Sequence, residues 1–91
     1  MARLINIGLG NVVNAEKVVA IVNPDAAPVK RMIQSAKESG LSIDATQGRR
    51  TKSVIVTEDR FLILSALQTE TISRRVNADW YSEGKGENYE S

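Results

Sequence analysis

The apolar residues of this 91-residue chain fall into short, mostly β-branched runs, each closed by glycine, proline or a cluster of turn-forming residues. Such punctuation favours short strands over long helices. The first run, 4–7, stops at Gly8-Leu9-Gly10-Asn11, where Gly8 and Gly10 supply the positive φ of a tight turn. A second strand starts at Val12-Val13, pauses at 14–16 in a bulge or a second turn, and resumes through 17–22. Residues 41–45 alternate as a half-buried strand does. Residues 53–57 and 61–67 flank Glu58-Asp59-Arg60 as the two arms of a hairpin.

Two stretches have helical character. Over 27–39, Val29, Met32, Ile33 and Ala36 form one apolar stripe, with Lys30, Arg31, Gln34, Lys37 and Glu38 lying away from it. Pro28 suits the first turn, where its missing N–H costs nothing, and Gly40 ends the helix. Over 69–76, Thr69 is expected to cap a helix with an acidic first turn and a basic last one. A helix this short must dock to be stable. The expected order is β-β-α-β-β-β-α, an α+β domain with a small mixed or antiparallel sheet and two helices. It should occupy residues 1–78. Residues 79–91 contain no aliphatic side chain and read as an acidic, disordered tail.

Charge follows the same division. The first 78 residues carry eleven Lys and Arg against seven Asp and Glu, whereas 79–91 carry Lys85 against Asp79, Glu83, Glu87 and Glu90. The chain has no histidine and no cysteine, which removes imidazole- or thiolate-based catalysis, zinc fingers and disulfides. We therefore expect no enzyme activity, metal, cofactor or small-molecule substrate. No leader pattern opens the chain and no apolar run is long enough to span a membrane, so a soluble cytoplasmic protein without a membrane partner is expected. Outside the tail, Phe61 is the sole aromatic residue, too little for the stacking platforms of single-strand binders.

Gly8-Leu9-Gly10 lacks the third glycine and the following helix of a dinucleotide fingerprint, and reads as a turn. Asp25, Asp44, Glu58 and Asp59 stand where turn or strand-end chemistry accounts for them. The segment 46–52 differs: it has no apolar residue and sets Arg49, Arg50 and Lys52 on a turn hinged at Gly48, with hydroxyls at Thr46 and Thr51. Guanidinium forks and hydroxyls suit phosphate oxygens, although a solvated turn guarding a sheet edge would have the same composition. Lys30, Arg31 and Lys37 on the helix could widen this patch, or form a plain exposed helix face.

Four ordered segments resemble the RemA family of extracellular-matrix regulatory proteins. They are Ile5-Asn6-Ile7-Gly8-Leu9-Gly10-Asn11, the stretch Ile21-Val22-Asn23-Pro24-Asp25-Ala26-Ala27-Pro28-Val29-Lys30-Arg31-Met32-Ile33, residues 43–55 around Gln47-Gly48-Arg49-Arg50-Thr51-Lys52, and Ile63-Leu64-Ser65-Ala66-Leu67-Gln68-Thr69-Glu70-Thr71. The resemblance implies a DNA-binding transcription regulator that promotes biofilm-matrix gene expression, with a LytTR-related domain assembled into a ring-like homo-oligomer. By position, the family's paired arginines fall on Arg49 and Arg50, its helix-opening proline on Pro28, and a basic position on Lys17, where arginine is common. Gln47 stands where histidine is frequent, and Lys52 where arginine is.

The expected function is thus duplex-DNA binding by a homo-oligomeric regulator through Arg49, Arg50 and Lys52, joined by Thr51, Lys17, Lys30 and Arg31, with Pro28, Gly8, Gly10 and Gly48 in structural roles. A small aliphatic body without disulfides or metal gains from self-association. The alternative is an oligomeric scaffold or protein-interaction module whose basic turn meets an acidic partner.

Overall fold

Ser53–Thr57 (β5) and Leu62–Ser65 (β6) are buried along almost their whole length, as central strands covered on both faces must be. The computed structural model describes residues 3–78. The expected tail, 79–91, lies outside the described residues. Around the β5–β6 hairpin the remaining elements are β1 (Leu4–Gly8), β2 (Asn11–Asn14), β3 (Val18–Val22), α1 (Ala27–Ser39), β4 (Ser42–Asp44) and α2 (Thr69–Val76).

Four strands form a mixed sheet in the order β3-β5-β6-β4, and β1 pairs with β2 in a separate antiparallel ribbon. β3 and β6 each run antiparallel to β5, and β4 runs parallel to β6. β3-α1-β4 is therefore a β-α-β crossover split open by the hairpin, with α1 carrying the chain from one sheet edge to the other. The α+β class and both helices agree with the sequence reading. The pause at 14–16 separates what the sequence suggested was one strand into members of two sheets. There Ala15–Lys17 forms a 3₁₀ turn, and the Asn14 side-chain oxygen accepts hydrogen bonds from the N–H groups of Glu16 and Arg3.

Side chains of the hairpin alternate between two cores, as the period of a strand requires. Val54, Leu62 and Leu64 face Val29 and Ala36 of α1. Ile55 and Ile63 face the other way, against Ile5 and Ile7 of the ribbon and Ile72 of α2. Of the expected helical stripe, Val29 and Ala36 are buried and Ile33 packs at the margin, while Met32 is left 42% exposed. Helix α1 has the expected limits, with Pro28 in its first turn and Gly40 closing it in the left-handed region. The second helix corrects one expectation: Gln68, not Thr69, is the N-cap, and it makes no side-chain capping bond. Thr69 is already helical because the extended chain at Gln68 turns there, its carbonyl accepting from the N–H groups of Thr71 and Ile72.

Two fully buried serines join the parts. Ser53 and Ser65 stand opposite one another in the β5–β6 register. The Ser65 hydroxyl donates to the Ile7 carbonyl at 2.8 Å and accepts from the Leu67 N–H at 3.0 Å, tying the ribbon to the four-stranded sheet. Ser53 donates to the Leu67 carbonyl at 2.8 Å. Ser65→Ala removes a hydroxyl and takes this partner from the buried Ile7 carbonyl and the partly buried Leu67 N–H, so we expect a loss of about 1–3 kcal/mol, measured by urea denaturation. A loss below a few tenths would show that the ribbon is held without this bond.

Candidate nucleic acid interface

The basic segment is an arch over the end of β6. At its start Ala45 N–H donates to the Leu64 carbonyl at 2.9 Å, and at its finish Lys52 N–H donates to the Ser65 carbonyl at 2.8 Å. Between them, Arg49 N–H closes a turn onto the Thr46 carbonyl at 3.0 Å, with Gln47 and Gly48 both at positive φ, 52° and 85°. Positive φ at both central residues is the signature of a type I′ turn, and glycine is at home at the second. Main-chain bonds thus set the arch's shape and leave Arg49, Arg50 and Lys52 exposed.

Thr46 has a structural duty. It is buried, and its hydroxyl and N–H both donate to Asp44 Oδ1, at 2.6 and 2.9 Å, so the hydroxyl expected to meet a ligand is spent within the turn. Those two bonds, aided by the Lys37 ammonium, hold the Asp44 carboxyl below its ordinary value.

The Gly8–Gly10 turn lies beside the arch. Gln47 Nε2 donates to the Leu9 carbonyl at 3.3 Å, and Asn11 Nδ2 donates to the carbonyls of Gly8 and Ala45 at 3.0 and 3.3 Å. The outcome is an open pocket of about 350 Å³ with an apolar floor of Gly8, Leu9, Ala66 and Leu67 and a rim of Arg49, Arg50 and Lys52. Gly8 is needed for shape as well as for its φ of 108°, because a Cβ there would stand 3.0 Å from Leu67 Cγ. Gly10 also has positive φ, as the turn reading expected. A second, smaller depression lies on the other side of Arg50 and Lys52, lined also by Thr51 and by the Asn23–Asp25 segment that leads into α1.

The other sequence candidates are more dispersed. Lys30 and Arg31 are exposed on the first turns of α1. Lys17 precedes β3, whose first residue pairs with Thr57 at the far end of β5 from Lys52, and its ammonium lies 3.7 Å from Glu58 in an exposed ion pair. Among the described residues no carboxylate forms an ion pair with Arg49, Arg50 or Lys52. Sequence reasoning overlooked Ser53, Ser65, Asn11 and Gln47, which position the pocket. A faint signal existed in two serines bounding largely apolar strands.

The family model described as extracellular matrix regulatory protein A-like, or RemA-like, matches residues 4–76, nearly all of the described fold. The chain belongs to the RemA-like family. Its curated relatives include a protein of Alkaliphilus metalliredigens, 58% identical over 76 residues, 84% of this chain and 82% of the relative. One from Lachnoclostridium phytofermentans is 58% identical over 77 residues, 85% of each chain, and one from Moorella thermoacetica is 54% identical over 76 residues, 84% of each. All three bear the name "Putative regulatory protein". Family membership and these names support a regulatory role. Among the described residues, no helix is long and apolar enough to cross a membrane and no group of three or more potential metal-ligating side chains occurs.

The Asp44 carboxylate should contribute stability at neutral pH. Because its folded pKa lies below the ordinary aspartate value of 3.8, that contribution is present above this value and lost as pH falls through the lowered folded value. Asp44→Ala should therefore lower the thermal midpoint at pH 7, with a gap from the parent that narrows in that acidic window. A gap independent of pH would mean the bonds to Thr46 do not depend on the charge.

Proposed function

We propose that this chain is a homo-oligomeric transcription regulator of the RemA type that binds double-stranded DNA and promotes extracellular-matrix gene expression in the cytoplasm, without enzymatic activity. The observation that carries the reading is the arch: three exposed cations on a rigid main-chain frame, with no carboxylate paired to them among the described residues. Phosphate oxygens are their natural counter-ions, and the planar guanidinium forks of Arg49 and Arg50 can each engage two acceptors. Phe61, the one aromatic residue of the body, follows the β5–β6 turn at the opposite end of the hairpin. That placement favours backbone contact on a duplex over base stacking on a single strand. Repetition of the arch in an oligomer would turn a modest charge into an extended positive field.

Mobility shift with random duplex DNA at several salt concentrations, beside light scattering, tests the reading. Native mass should be several times 10.0 kDa. Log affinity should fall with log salt at a slope of about −0.9 per neutralised phosphate. Arg49→Ala and Arg50→Ala should nearly abolish binding and make the slope shallower while fold and mass persist, and Lys at both positions should restore only part of the affinity. Parent-like binding by both alanine variants at every salt concentration would sink the assignment.

A further inference from the structure

We propose that the acidic C-terminal segment, residues 79–91, docks in its own chain across the arginine-rimmed pocket and masks the arch. Three facts converge on this occupant. First, the pocket combines an apolar floor with a cationic rim, a pairing that asks for a ligand both flat and acidic. Residues 79–91 supply both: Trp80, Tyr81 and Tyr89 are three of the chain's four aromatic residues, and Glu83, Glu87 and Glu90 stand among them with a single lysine, Lys85.

Second, the point of departure is close. Helix α2 begins directly after Leu67 and Gln68, and its eight residues span roughly 12 Å. In its last turn Arg75 Nη1 donates to the Asn6 carbonyl at 2.8 Å, two residues before Gly8 of the pocket floor. Thirteen residues reach at most roughly 43–47 Å when extended, so the segment can turn back over the pocket with length to spare. Third, tethering provides a millimolar-range effective concentration, enough for a weak contact to be populated. The segment begins beyond residues 4–76, where the family match ends.

The contact itself does not depend on DNA binding; only its consequence rests on the function proposed above. Since Trp80 is the chain's sole tryptophan, Trp80→Phe combined with Tyr89→Trp moves the only indole to the distal part of the segment. In the full chain at low salt, this indole should show blue-shifted emission and reduced acrylamide quenching. Both should revert at high salt and in a chain that also carries Arg49→Ala and Arg50→Ala. Emission and quenching equal to those of the urea-unfolded chain at low salt would overturn the proposal. In parallel, replacing Glu83, Glu87 and Glu90 by glutamine in the full chain should raise duplex-DNA affinity by about two- to tenfold at low salt and by little at high salt. A protected indole with no DNA binding by any variant leaves the docking standing and removes the DNA reading. Tight DNA binding with a fully accessible indole does the reverse.

Discussion

The Ser53–Ser65 pair at the end of the hairpin is the contact on which the rest of the molecule depends. Either hydroxyl alone would be an expensive thing to bury, since an unpaired one costs about 1–3 kcal/mol. Each is instead spent on a main-chain group from a different part of the fold. Ser65 holds Ile7 of the ribbon and the N–H of Leu67, and Ser53 holds the Leu67 carbonyl. These bonds fix the mutual placement of the ribbon, the four-stranded sheet and the start of α2. The apolar floor between the arginines is where those three parts meet.

Electrostatics then acts on a frame already built. The Lys17–Glu58 pair, with both side chains 55% exposed, contributes at most about 1 kcal/mol and stabilises little. The cations of the arch are arranged differently: main-chain bonds hold the loop while its charges remain available. The exposed Asp44 carboxylate accepts both hydrogen bonds from Thr46 and forms no ion pair with these cations among the described residues.

Local chemistry made much of this legible in the sequence. The limits of α1 follow from Pro28, the 3–4 spacing from Val29 to Ala36, and Gly40. The hairpin follows from two β-branched runs around a polar turn, and the exposed basic arch from the lack of any apolar residue in 46–52. What escaped detection is side-chain hydrogen bonding, some of it within a turn and some of it between distant segments. Asn14 reads as a pause within one strand, yet its side chain stabilises the turn that sends β3 to another sheet. Thr46 reads as a free donor because Asp44, two residues away, is only a good acceptor once the chain has bent. The neighbourhood of the Gly8–Gly10 turn and the arch, some 40 residues apart in sequence, depends on amide contacts from Asn11 and Gln47 that no periodicity encodes.

The main-chain anchoring of the arch also bears on how such a protein can diverge. Its two ends hang on the carbonyls of Leu64 and Ser65, and its turn is closed by an amide, so the side chains at 49, 50 and 52 have no part in holding the loop's shape. Evolution can therefore revise these positions one at a time without a folding penalty. The arch is a reading head whose letters can be exchanged while the mount stays fixed. Drift in binding preference is thereby separated from drift in stability, and a lineage could acquire a new target before it had to change its core.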